Sequence, residues 1–141
     1  PVLRGEGLAE ALRWLASDMQ ERYGLLVRLT TDEPPPVLSE AVRVLLFDLA
    51  RELLFNVVKH ARVREAQVGL SQSGAGLVLC VADAGAGFRL ETTPVSGSTG
   101  LGLASIRKRL ELFGGTLELR AAPGEGTRVT VALPRAAFSL S

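Results

Sequence analysis

Between residues 40 and 61 the chain is apolar on nearly every side of a helical wheel. Val42, Leu45, Leu46, Phe47, Leu49, Leu53, Leu54, Phe55, Val57 and Val58 all fall in this stretch. A helix with no polar face has to lie inside the fold, covered by other elements. Ser39 supplies an N-cap, and the pattern predicts a helix running to about Ala61. A row of polar side chains nevertheless crosses this surface. At about 100° per residue, Asn56 and His60 share a stripe with Val42, Leu49 and Leu53, while Glu52 and Lys59 lie on its edge. Glu52, Asn56 and His60 are successive i, i+4 neighbours and stack one above the next. An unpaired buried polar group costs about 1–3 kcal/mol. The row therefore requires partners, either nearby backbone and its own members or a ligand in a cleft.

The remaining elements can be read around that helix. Leu8, Leu12, Leu15, Met19 and Tyr23 recur at helical spacing, so a helix is predicted over about residues 6–23, stopped by Gly24. Leu25, Val27 and Leu29 alternate with Arg28 and Thr30 as a half-buried strand does. The run Asp32-Glu33-Pro34-Pro35-Pro36 excludes helix and central strand and must be a loop. Strands are expected at 65–72 and 77–83, joined by a turn at Ser73–Gly76. The second is apolar on both faces, so it should be central. A loop rich in Gly, Ser, Thr and Pro fills 84–100 and reads as mobile. A helix from about Leu101 to Phe113 ends at Gly114-Gly115. Two last strands, about 116–121 and 127–133, flank the turn Pro123-Gly124-Glu125-Gly126. Three helices and five strands in this order favour an α+β fold, a two-layer sandwich with the helices on one face of a mixed sheet.

Bulk properties remove several classes of function. At 141 residues the chain is expected to be a single domain spanning 1–141. An apolar content of 47% supports a proper core. Lys and Arg number 16 against 15 for Asp and Glu, with no basic stripe, so no nucleic-acid partner is expected. One Cys and one His cannot build a zinc site or an internal disulfide. Cys80, in Leu77-Val78-Leu79-Cys80-Val81, reads as a buried core thiol, which fits a reducing, cytoplasmic setting. No apolar run reaches the ~20 residues of a membrane span. A start at Pro1 without Met reads as a domain excised from a longer protein, one whose parent could be anchored in a membrane.

Two glycine patches complete the pattern. Asp83-Ala84-Gly85-Ala86-Gly87 puts a carboxylate where the central strand ends. A charge there requires a donor; a simple Asp-x-Gly turn is the competing reading. Gly85 and Gly87 admit close backbone approach. Gly100-Leu101-Gly102-Leu103 opens a helix, and free N–H groups at a helix start attract phosphate. The polar segment before it, with Ser98 and Thr99, has the composition of a lid over residues 88–100 hinged at Gly97 and Gly100. These glycines follow a loop and not a strand, which excludes a Rossmann fingerprint.

In this order and spacing, Glu52…Asn56…Lys59-His60-Ala61, Asp83-Ala84-Gly85-Ala86-Gly87 and Gly100-Leu101-Gly102-Leu103 resemble the N, G1 and G2 boxes of an ATP-binding fold. That fold is shared by gyrase, the heat-shock chaperone, MutL and sensor histidine kinases. The resemblance implies ATP and Mg²⁺ as ligands. It implies that Asn56 holds Mg²⁺, that Glu52 is the catalytic acid or base, and that Asp83 accepts from the adenine amine. It also implies that Lys59, His60, Gly85, Gly87, Ser98, Thr99, Gly100, Leu101, Gly102 and Leu103 line the nucleotide, with Thr127 beside Asp83. Lys59 at a helix edge can equally be a solvated side chain. Ala84 departs from the family, where a polar residue commonly follows the Asp.

Arg107…Arg109, Phe113-Gly114-Gly115 and the opening Gly7–Leu12 segment narrow the likeness to sensor kinases of the nitrate-sensor and DegS type. The implied function is transfer of the γ-phosphoryl of Mg-ATP to a histidine on a separate dimerisation domain, with a response regulator downstream. His60 lies in the N box and is not that acceptor. The isolated domain would be a monomer and the parent a homodimer. Anti-sigma-factor serine kinases share the boxes and are the alternative, as is a nucleotide-sensing module without turnover.

Overall fold

The computed structural model describes residues 7–32, 37–61, 63–84, 103–122 and 126–140, excepting the side chains of His60, Ala61, Leu103 and Ala122. In chain order the elements are α1 (Leu8–Tyr23), β1 (Leu26–Thr31), α2 (Glu40–Asn56), β2 (Glu65–Ser73), β3 (Gly76–Asp83), α3 (Leu103–Leu112), β4 (Thr116–Ala122) and β5 (Gly126–Pro134). The strands form one sheet in the order β1-β2-β3-β5-β4. Only β1 and β2 pair in parallel; the other three pairings are antiparallel. The mixed five-stranded sheet and three helices agree with the predicted α+β sandwich, and β3 is central as its apolar pattern required.

Alternation along each strand decides which face carries the helices. Val68 and Leu70, Leu77, Leu79 and Val81, and Val129, Val131 and Leu133 are buried in one core with residues of all three helices. The intervening Gln67, Ser71, Glu118, Arg120 and Arg128 are exposed on the other face. Removing a leucine side chain from water is worth about 1.5–3 kcal/mol, so the inward leucines of α2, among them Leu45, Leu46, Leu49 and Leu53, bind the layers together.

Two local expectations fail here. Cys80 is only half-buried. Alternation sets it on the outer face, between the inward Leu79 and Val81, where its sulfur accepts a hydrogen bond from Arg128 Nη1 at 3.1 Å. A central strand is covered partly by its neighbouring strands, so an apolar side chain on it need not point into the core. The α-helical pitch of α2 also stops at Asn56, and Val57–Ala61 forms a π-helical turn. Val57 and Val58, stiff at χ1, stand where the pitch changes, a position π turns often take beside functional groups.

The ends of α1 and α2 follow the predicted signals. Gly24 closes α1 in the left-handed conformation, φ 69°, and its N–H donates to the Gln20 carbonyl at 3.0 Å. The Ser39 Oγ accepts from the Val42 N–H at 3.2 Å. The segment after β5 carried no signal in the sequence. It forms a short 3₁₀ turn, Arg135–Ala137, and buries Ala137 and Phe138. The Phe138 carbonyl accepts from the Ser39 N–H at 2.7 Å, which ties the end of β5 to the start of α2.

Candidate nucleotide site

That tie sets the direction of α2. Pro134, at the end of β5, pairs with Gly76, at the start of β3. Helix α2 therefore begins near the start of β3. A helix of 17 residues spans about 25 Å, and the eight residues of β3 span about the same. The chain leaving α2 enters β2 at Glu65, and Gln67 pairs with Ala82, next to Asp83. Asn56 and Asp83, the last residues of α2 and β3, thus lie at the same end of the molecule.

The third element arrives there too. Helix α3 turns at Gly114 (φ 80°) into β4, which runs toward Ala122, paired with Gly126 at the Asp83 end. Helix α3 accordingly points its N-terminus toward that end. Arg109 Nη2 lies 3.5 Å from Asp48 Oδ2. From that contact α2 proceeds toward Asn56, and α3 leads back toward Leu103. The packing of α3 rests on Ile106 and Leu110, both buried.

Among the described residues, the buried polar or charged side chains are Asn56 (9% exposed) and Asp83 (8%). Both belong to the predicted boxes. Taking an amide and a carboxylate out of water requires compensating partners, and the fold buries one of each at this end. Thr127 pairs directly with Asp83 across β3 and β5. Side chains directly opposite on an antiparallel pair share a face, with Cβ atoms about 4.5–5.5 Å apart. The Thr127 side chain therefore stands beside the carboxylate, half-buried.

Glu52, one helical turn before Asn56, is partly exposed. Lys59 is exposed, and its Nζ lies over the Phe55 ring, 5.9 Å from the centroid. Phe55 in turn meets Tyr23 of α1 edge-on, with centroids 5.4 Å apart. Tyr23 joins Phe55 from a different helix, a long-range relation that local periodicity does not encode. The expected roles of Gly85, Gly87, Ser98, Thr99, Gly100, Leu101 and Gly102, and the lid over 88–100, fall outside the described residues. So do the side chains of His60 and Leu103. One residue at this end was missed as a participant: Gly126, whose φ of 84° and contact with Asp83 are signalled in the sequence only by a glycine preceding Thr127.

A helix-covered mixed sheet with an amide, a carboxylate and a helix N-terminus at one end defines a nucleotide-binding α+β domain. Residues 41–137 match the family described as histidine kinase-, DNA gyrase B-, and HSP90-like ATPase, and the chain belongs to that family. It is an ATP-binding domain. The sensor histidine kinase NarS of Mycobacterium tuberculosis is 38% identical over 134 residues, covering 94% of this chain and 31% of NarS. The signal transduction histidine-protein kinase/phosphatase UhpB of Salmonella typhimurium is 36% identical over 129 residues, covering 91% of this chain and 25% of UhpB. Both relatives agree with the nitrate-sensor-like expectation, and the chain spans about a third or less of their length. The blue-light activated histidine kinase of Erythrobacter litoralis EL346 shares the fold, with a TM-score of 0.73 at 24% identity over 91% of this chain and 42% of that one. No helix among the described residues is long and apolar enough to cross a membrane.

Proposed function

We propose that this domain is the catalytic part of a sensor histidine kinase, delivering the γ-phosphoryl of ATP to a histidine on a separate dimerisation domain. The observation that most supports it is the burial of Asn56 and Asp83 at one end of the sandwich, beside the N-terminal end of α3. In this reading the Asp83 carboxylate accepts from the adenine exocyclic amine. Guanine presents an acceptor at that position and is disfavoured. Thr127 stands beside the same carboxylate and supports the base. The whole chain, 1–141, acts as one domain, within a longer cytoplasmic or membrane-anchored protein.

The fit of Mg²⁺ rests on donor chemistry. The ion takes hard oxygen ligands and fills most of its octahedron from phosphate and water. Asn56 offers a buried, neutral amide oxygen of that type. Among the described residues no group of three or more His, Cys, Asp or Glu could hold a metal, so the remaining ligands would come with the nucleotide. When bound, the ion would neutralise phosphate charge. Glu52, one turn from Asn56, polarises the incoming imidazole. The N–H groups ahead of α3 hold phosphate oxygens, aided by the helix dipole. Lys59 leaves the Phe55 ring to add a further positive charge. Positioning and charge neutralisation supply most of the acceleration in phosphoryl transfer.

The test is transfer in trans. The chain is mixed with the histidine-bearing dimerisation helices of its parent and ATP labelled at the γ-phosphate. Acid-labile phosphohistidine on the helices is the expected product. ATP bound at saturation with no phosphohistidine would instead identify a sensing module, and label on a serine of a partner would identify the anti-sigma type.

A further inference from the structure

The β3–β5 pair is closed at each end by a glycine pressed against the opposite strand. A Cβ on Gly126 would lie 2.1 Å from the Asp83 carbonyl oxygen and 2.8 Å from the Ala84 Cα. At the far end, a Cβ on Gly76 would lie 2.1 Å from the Leu133 carbonyl oxygen. Both glycines also have positive φ, 84° and 156°. The two contacts are alike in severity and in backbone character, and one of them is made with the residue that carries the buried carboxylate. Main-chain atoms cannot swing aside as a flexible side chain can, so an added carbon at 126 forces the start of β5 and the end of β3 to shift against each other.

We propose that Gly126 is a positioning residue for nucleotide selectivity: its missing side chain lets β5 close against the Asp83 backbone and so fixes where the Asp83 carboxylate stands. This rests on the reading of Asp83 as the adenine acceptor. The direct pairing of Asp83 with Thr127 means that the same displacement also shifts the threonine beside it. A hydrogen bond to a base edge tolerates little misplacement, since donor and acceptor must stay near 2.7–3.2 Å and close to linear.

The test compares dissociation constants for Mg-ATP and Mg-GTP in the wild type, Gly126→Ala and Gly76→Ala, with Asp83→Asn as the reference. Losing one such bond corresponds to a fall of about tenfold in the ATP:GTP preference. Gly126→Ala is expected to lose about that much, while Gly76→Ala, with the same steric conflict far from the carboxylate, keeps the wild-type ratio at lower stability. If Gly126→Ala does not fold, Gly126→Asn carries the test, because Asn tolerates positive φ and brings the same Cβ. An unchanged ratio in the position-126 variant overturns the proposal. So does an equal fall in both glycine variants, or failure of both position-126 variants to fold. If Asp83→Asn leaves the preference intact, the adenine assignment itself fails, an outcome separate from those above.

Discussion

In the proposed reading, Asn56 and Asp83 divide one ligand between two residue types. A carboxylate accepts from a base amine and discriminates between purines; a neutral amide offers a hard oxygen without adding a second charge to the end already holding Asp83. Asn56→Ala should therefore leave adenine preference unchanged while removing most of the gain in ATP affinity on adding Mg²⁺. A loss of roughly tenfold would match one charge-assisted contact. Calorimetric titrations of ATP with and without Mg²⁺ measure it, and an undiminished magnesium effect would reject Asn56 as the ligand. At this scale the sequence was most readable in placement: it set Asn56 on the core-facing stripe of a helix and Asp83 at the end of a buried strand, and both are buried there. It was least readable at Phe55, which Tyr23 meets from another helix. Gly126 was read only as part of a turn, because a glycine advertises freedom and not what presses against it.

Helix α2 is both the central core element and the carrier of the site, so its two ends behave differently. The start is a conventional capped terminus: Ser39→Ala removes the acceptor for the Val42 N–H and should cost about 1 kcal/mol in urea unfolding. A cost near zero would mean the tail alone holds that end. The middle is buried, with Leu46 fully inaccessible. The far end changes pitch directly after Asn56. Apolar periodicity predicted the helix and its burial. It could not predict the π turn, because the same residues satisfy an α or a π pitch equally well over five positions. Strand alternation was similarly partial. It predicted a central β3 but left open which apolar side chains faced the helices, and Cys80 fell on the other side.

For the whole molecule, the layer arrangement followed from the order of helical and strand periods, while closure did not. The parallel β1–β2 pairing, the outer placement of β4 and the packing of the last segment are long-range relations that local patterns do not encode. Phe138 is the clearest instance: 9% exposed, stacked under Arg135 at 5.4 Å, with its carbonyl bonded to the start of α2. Phe138→Ala should destabilise the domain by about 3 kcal/mol, as for other large-to-small changes in cores. Chemical denaturation followed by circular dichroism reads that loss. A change under about 1 kcal/mol would show the segment to be a passive appendage.

The latch between Ser39 and the stretch around Phe138 also imposes a timetable on biosynthesis. Ser39 Oγ reaches the Leu140 carbonyl across 101 positions of chain. At roughly 5–20 residues per second, the nascent protein waits about 5–20 s between making the first half of that clasp and the second. For most of that interval the greasiest helix in the domain has been synthesised without its final cover. Chaperone engagement would fall in that window.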